Sequence, residues 1–214
     1  MQVLMNAGGI AQTNAFVIAD EGSKQAVLFD APDHTVAPLL DEVQRRGWDL
    51  IGLWLTHGHF DHLADHAVVK QRFPGAKILI HALEAERLRN PGSQMFQLPF
   101  TIPPGEPDQL IEDGQTLHIG SLEVRVIHTP GHAPGHVAFH LPGERALVSG
   151  DLIMMRSVGR TDLPGSSYAQ LQASLRRVMA LPAETQLLPG HGDPSTIAEE
   201  REMNSYVREA MELA

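Results

Sequence analysis

The apolar run Leu50-Ile51-Gly52-Leu53-Trp54-Leu55 passes without interruption into Thr56-His57-Gly58-His59-Phe60-Asp61-His62. A short apolar run bounded by turn residues reads as a buried strand, and a glycine such as Gly58 lets the chain turn tightly where the strand stops. Ligand-type side chains packed this densely at the end of a core strand are hard to assemble by accident. His57 and His59, two apart in extended or looping backbone, can aim at one point in space. Asp61 and His62 fall at the start of a helix predicted over about 63 to 72, where they can serve a second, adjacent point. One loop can therefore supply two metal positions.

What holds a metal here must be nitrogen and oxygen, because the chain contains no cysteine and so neither thiolate ligands nor disulfides. At 214 residues and 43% hydrophobic content, one compact domain over 1–214 with a sizeable core is expected. A net charge of −10 disfavours nucleic-acid backbones, which need a basic face. A cationic metal centre can still attract an anion locally. There is no run of about 18 apolar residues, and Met1 to Asn6 lacks the basic flank and long apolar segment of a secretory signal. The expectation is a cytoplasmic protein with no nucleic-acid or membrane partner.

Along the chain, 15–19 and 26–29 read as strands joined across Asp20-Glu21-Gly22-Ser23 as a hairpin, followed by a helix over 36–46 closed by Gly47. After the strand at 50–55 and the helix at 63–72 comes a strand at 77–80. The second half repeats the theme with strands at 121–127, 137–141 and 146–149, a helix at 168–180, a strand at 186–188 and a C-terminal helix over 197–213. Strand groups bracketed by helices in both halves predict two sheets packed together with helices outside. Between the halves, Pro91, Gly92, Pro99, Pro103, Pro104, Gly105 and Pro107 exclude regular structure, while Met95, Phe96, Leu98 and Phe100 supply apolar anchors. That stretch is either a connector pinned to the core or a wall of the active-site mouth.

Three further places put ligand-type residues after an apolar run: His128-Thr129-Pro130-Gly131-His132-Ala133-Pro134-Gly135-His136, Ser149-Gly150-Asp151, and Leu188-Pro189-Gly190-His191-Gly192-Asp193. Each alone is a weak signal; together with the first loop they make four strand ends that each deliver a hard or borderline ligand. In this order and spacing, His57, His59, Asp61, His62, His132, Asp151 and His191 resemble the motif set of the metallo-β-lactamase fold superfamily over nearly the whole chain. The resemblance implies an α/β fold, an αββα sandwich of two mixed β-sheets packed face to face with helices outside. It also implies that His57, His59 and His132 hold one metal, that Asp61, His62 and His191 hold another, and that Asp151 bridges the two.

Chemistry agrees with that allocation. Three imidazoles, a carboxylate and a water complete a four- or five-coordinate zinc or iron site with a position open to substrate. Two divalent ions, zinc above all and otherwise iron or manganese, lower the pKa of a shared water and give hydroxide near neutral pH. Asp61 can also orient that nucleophile or take its proton. The stretch from Gly150 to Gly165, with Ser157-Val158-Gly159-Arg160-Thr161-Asp162-Leu163-Pro164-Gly165, is similar to the short bacterial branch of the glyoxalase II group, the hydroxyacylglutathione hydrolases. The resemblance implies a small-molecule thioester substrate, a glutathione conjugate. The persulfide dioxygenases share the Gly-Arg-Thr-Asp element but use one iron; the ending Pro189 to Thr196 with Glu199, Glu200 and Asn204 favours the hydrolase. A lactonase or β-lactamase-like hydrolase is a further alternative.

Two departures concern the substrate. Longer glyoxalase II enzymes carry an added C-terminal helical domain with basic and tyrosine residues for glutathione, which is not expected within these 214 residues. The usual Leu-Phe after the bridging aspartate is Leu152-Ile153 here, followed by Met154 and Met155, which read as packing residues. Arg160 and Asp162 read as an ion pair bracing the bridging loop. His66 shares a helix face with His62 and reads as an outer-sphere or solvent-facing residue. His128 and His136 read as loop-orienting residues or donors to ligands, and His34, His81, His118 and His140 as structural or exposed.

Overall fold

The computed structural model describes residues 1–93 and 97–212, so the anchors expected at Met95 and Phe96 and the end of the C-terminal helix at 213 lie outside the described residues. The chain divides into two compact units, the first of residues 1–111 and 118–122, the second of residues 112–117 and 123–214.

The first unit holds strands β1 (Gln2–Gly8), β2 (Thr13–Ala19) and β3 (Gln25–Phe29), helix α1 (Ala37–Arg45), β4 (Asp49–Trp54), the single turn α2 (Phe60–Leu63), α3 (His66–Arg72), β5 (Lys77–His81), α4 (Ala85–Arg89) and β6 (Gln109–Ile111). Its six strands lie side by side in chain order. The first three pair antiparallel and the rest parallel. Parallel pairing requires a crossover, and α1 supplies it between β3 and β4. Strands buried on both faces read as near-continuous apolar runs, as β2 does from Ala15 to Ala19 and β4 from Leu50 to Trp54. One cluster joins Val17, Leu28, Leu53 and Ile80 to Leu39, Leu40 and Val43 of α1. Burying each such side chain contributes about 1.5–3 kcal/mol before the entropy cost. The 97–107 segment is irregular, and Leu98 and Phe100 pack against this cluster, which is the connector reading of that loop.

The second sheet runs in the order β14 (Ser195–Thr196), β13 (Gln186–Pro189), β10 (Ala146–Gly150), β9 (Val137–Leu141), β8 (Leu122–His128) and β7 (Thr116–Ile119). Its parallel pair, β10 with β13, is connected by α5 (Tyr168–Met179). A short hairpin, β11 (Ile153–Met154) with β12 (Ser157–Val158), follows β10, and α6 (Ile197–Met203) and α7 (Ser205–Glu212) end the described chain. Leu147 and Leu187 form a core with Leu171, Leu175 and Val178 of α5 and with Ile197, Val207 and Ala210 of the last two helices.

Two helices predicted as continuous are broken, each by a side chain with another task. The expected 63–72 helix begins earlier and stops at Ala64-Asp65, because the His62 carbonyl accepts from Ala31 N at 2.8 Å and Asp65 N donates to the Ala31 carbonyl at 2.8 Å. The Asp65 carboxylate caps the start of α1, accepting from Thr35 N at 3.1 Å. The expected 197–213 helix is interrupted at Asn204, whose Oδ1 accepts from Tyr206 N at 3.0 Å and opens α7 as its N-cap. β1, β6, β7 and the short β11, β12 and β14 carry too little apolar periodicity to be seen in advance. Among the described residues, no helix is long and apolar enough to cross a membrane.

Candidate metal centre

Each ligand candidate sits just past the carboxyl end of a strand, where open α/β sheets present their functional groups. In the first unit, the chain bends at Thr56 after β4, and His59, in extended conformation, is the N-cap of α2. His57 and His62 are fully buried, with His59 at 7% and Asp61 at 8% exposure. His57 Nε2 stands 3.0 Å from His59 Nδ1, and His62 Nε2 stands 3.5 Å from Asp61 Oδ2. The His57 ring lies 4.1 Å from that of His62, centroid to centroid. Thr13 donates from Oγ1 to Asp61 Oδ2 at 2.8 Å and so fixes the carboxylate from the start of β2.

Gly58 is small for a reason other than the tight turn predicted for it. It is not among the residues with positive φ. A Cβ there would stand 2.9 Å from Arg87 Cβ and 3.0 Å from Glu84 Oε2. Glu84, fully buried at the start of α4, accepts from Gly58 N at 3.1 Å and from Arg87 Nη1 at 2.7 Å. The loop is gripped through its backbone by a carboxylate that nothing in the sequence signals.

Asp30 is the other residue missed. It follows β3 with φ of 58°, a left-handed conformation that aspartate tolerates better than most residues. It accepts from Thr56 N at 2.8 Å, from Thr56 Oγ1 at 2.9 Å and from His62 Nδ1 at 2.8 Å. Since the Thr56 hydroxyl spends its proton on Asp30, it accepts from His57 Nδ1 at 3.0 Å. One carboxylate thus sets both imidazoles as Nδ1–H tautomers with Nε2 lone pairs available, the device by which outer residues orient metal-ligating histidines. An aspartate just past a strand, followed 26 residues later by a threonine before the first histidine, was the available signal.

In the second unit, His132 and Asp151 are 4% and 6% exposed, and His191, between Gly190 and Gly192, has 26% of its side chain exposed. Asp151 Oδ2 lies 3.4 Å from His132 Nε2 and 3.4 Å from His191 Nε2. His132 Nδ1 donates to the Arg160 carbonyl at 2.8 Å, which again leaves Nε2 with its lone pair. Gly159 allows this contact, because a Cβ there would stand 2.1 Å from the Asp151 carbonyl oxygen and 2.9 Å from His132 Nδ1. The Gly-Arg-Thr-Asp element therefore acts here through its backbone. The Arg160 side chain is exposed and paired with Asp162 at 2.6 and 2.7 Å, the ion pair expected, and this hydrogen-bonded pairing holds the Asp162 carboxyl down to about 2.

The remaining histidines sort clearly. His66 is 2% exposed rather than solvent-facing, and its Nδ1 donates to the Leu63 carbonyl at 2.9 Å. Burial pushes its pKa down, against hydrogen bonds to the Leu63 and Pro104 carbonyls that push it up. His128 braces its loop through the Pro134 carbonyl at 2.9 Å. His136 is fully buried and accepts from Asp151 N at 3.0 Å, so toward this ligand it is an acceptor and not a donor. His34 and His118 are exposed, His81 accepts from Leu83 N, and His140 is buried. Met155, at 43% exposure, is not the packing residue expected.

The fold thus brings four of the seven candidates together in the first unit and three in the second. The donor set suits a divalent cation. Ligands on a tetrahedral ion with bonds of about 2.0–2.1 Å lie about 3.3 Å from one another. The separations of 3.0, 3.5, 3.4 and 3.4 Å fall around that value. Imidazole nitrogens and carboxylate oxygens suit zinc, iron and manganese alike.

Two mixed sheets with helices, carrying histidine and aspartate clusters past their strand ends, define an α/β fold class with a donor set suited to divalent metals. The chain belongs to the Metallo-beta-lactamase superfamily, whose sequence profile matches residues 8–191, through both units. An uncharacterized protein of Aquifex aeolicus is 33% identical over 205 residues, 95% of each chain. A hydroxyacylglutathione hydrolase of Mesorhizobium japonicum is 34% identical over 175 residues, covering 82% of this chain and 60% of that protein. The crystal structure of the BLEG-1 B3 metallo-beta-lactamase superposes with a TM-score of 0.88 at 32% identity, covering 96% of this chain and 99% of that one. TTHA1623 in a di-iron-bound form superposes at 0.79 with 34% identity, covering 95% and 99%.

Proposed function

We propose that the protein is a dinuclear metallohydrolase that cleaves a hydroxyacyl thioester, a glutathione conjugate, into hydroxyacid and thiol. His57, His59 and His132 are assigned to one ion, Asp61, His62 and His191 to the other, and Asp151 to both. The observation that carries the reading is the Asp151 carboxylate: one oxygen stands 3.4 Å from the Nε2 of each of two histidines assigned to different ions. With the two histidines on different ions, as the ligand allocation has them, that oxygen stands at ligand spacing from a donor of each. The thioester class draws on the likeness to the Mesorhizobium hydrolase.

When bound, two divalent ions lower the pKa of a shared water to near neutrality and polarise the substrate carbonyl. The residues of the chain do the rest. Asp30 and the Arg160 carbonyl hold imidazoles in the ligating tautomer, and Thr13 holds Asp61 where it can orient the attacking water or take its proton. No serine or cysteine nucleophile is required.

The test pairs elemental analysis of protein purified without chelators with thioester hydrolysis and oxygen-uptake assays on the same sample. We expect about two metals per chain, hydrolysis of S-lactoylglutathione, and loss of one metal and of activity in His191→Ala. A His191→Ala protein with one metal and full activity would end the dinuclear reading. Oxygen uptake with glutathione persulfide on one iron would replace it with a dioxygenase.

A further inference from the structure

His136 is a fully buried imidazole that the ligand allocation leaves unused, and the bond at its Nε2 fixes its tautomer. The backbone N–H of Asp151 can only donate, so the His136 Nε2 that it meets at 3.0 Å carries a lone pair. The proton of the neutral ring is then on Nδ1, which meets Thr129 Oγ1 at 2.8 Å. That hydroxyl accepts from the ring and turns its own proton to the His136 carbonyl at 3.4 Å, while Thr129 N donates to the same carbonyl at 2.8 Å. These bonds run one way, from the Asp151 N–H through the His136 ring to Thr129.

The position of this ring matters as much as its tautomer. His136 and Thr129 form the neck of the loop that carries His132, just before β9 begins at Val137. The His132 and His136 rings lie 6.3 Å apart at 87°. Asp151 follows the left-handed Gly150, whose carbonyl accepts from Gly190 N at 2.9 Å, beside His191. The peptide that carries Asp151 is therefore tied on one side to the strand end bearing His191 and on the other, through the His136 ring, to the loop bearing His132.

We propose that His136 is a positioning residue: by accepting from the Asp151 backbone N–H it holds the Asp151 carboxylate between His132 and His191. The inference rests on the two-metal reading above, and its test separates the two. Two near-isosteric variants divide the functions of the ring. In His136→Gln, Oε1 occupies the place of Nε2 and keeps an acceptor for Asp151 N–H. In His136→Asn, the amide reaches only the Nδ1 side, keeping a donor for Thr129 and losing the acceptor. Outer residues of this kind are worth about 10–100-fold in metal affinity.

The experiment measures zinc affinity by chelator competition, zinc stoichiometry by elemental analysis, and thermal midpoints of the metal-free proteins. A long-range proton–nitrogen NMR correlation on wild type reports the histidine tautomers. Expected are an Nδ1–H tautomer for His136, a zinc affinity at least 10-fold weaker in His136→Asn, and one within about 3-fold of wild type in His136→Gln. An Nε2–H tautomer overturns the proposal, as does equal affinity in the two variants or weaker binding in His136→Gln. Equal weakening together with equal loss of thermal midpoint would assign the residue to packing alone. Wild-type zinc stoichiometry tests the two-metal reading by itself: one zinc per chain removes that reading, while the order of the two variants still decides the role of His136.

Discussion

The two ligand clusters are built on opposite principles. In the first unit, His57, His59, Asp61 and His62 lie within six consecutive residues, and one strand, one glycine and one helical turn deliver them together. In the second, His132, Asp151 and His191 are spread over 60 residues on three separate loops. Local geometry explains most of the first cluster, with Asp30 adding tautomer control from another strand. The second has no local geometry to rely on and depends on contacts between loops: the Arg160 carbonyl on His132, the His136 ring on Asp151 N, Gly190 N on the Gly150 carbonyl. Both clusters are oriented by outer residues, but in the contiguous one Asp30, Thr56, Thr13 and Glu84 adjust side chains that the local chain already delivers, whereas in the dispersed one the contacts between loops also bring the side chains together.

The hardest way to break this contrast is Asp30→Ala. It leaves Thr56 N, Thr56 Oγ1 and His62 Nδ1 without the carboxylate they share. Each buried donor so stranded costs about 1–3 kcal/mol, and metal affinity should fall by about 10–100-fold. Denaturant unfolding and chelator competition measure both, and an unchanged metal affinity would show that the first cluster orients itself. Gly159→Ala comes next. Its Cβ would meet the Asp151 carbonyl and the His132 ring, so we expect about 1–3 kcal/mol of overpacking cost and weakened metal binding at His132 and Asp151. A variant of normal stability and metal content would show that this backbone approach is not needed.

A smaller effect concerns the first unit alone. Burial pushes the His66 imidazole below its ordinary value of 6.5, so in the window between that value and its folded pKa the unfolded chain binds a proton that the folded chain refuses. The stability this confers is complete above about pH 6.5 and declines as pH falls through the window. Unfolding at a series of pH values from 7.5 downward should show a shallower acid limb for His66→Gln than for wild type; parallel curves would remove His66 from the account. The smallest effect is expected for Arg160→Ala. Its ion pair is exposed and screened by solvent, and its backbone carbonyl remains on His132. A large loss of metal from this variant would mean that the side chain, and not the backbone, serves the second cluster.

How far the sequence carried follows the same division. The run from Leu50 to His62, the hairpin strands, β9 and α5 were legible because each is a local pattern of apolar period, turn residues and closing glycine. The broken helices at Asp65 and Asn204 were not, because the side chains that break them bond to segments 30 and 47 residues away. Glu84 was invisible for the same reason, being a buried carboxylate whose importance lies in Gly58 N.

The sequence by itself determined the kinds of ligand, their order along the chain and their placement at strand ends, since residue type and periodicity are local properties. The tertiary structure alone decided which nitrogen of His57, His62 and His132 keeps its lone pair, which oxygen of Asp151 lies between two imidazoles, and that Gly159 and Arg160 serve through their backbone. Tautomer and orientation are set by hydrogen-bond partners distant in the chain, and no local pattern of residues encodes a partner that folding has yet to bring near.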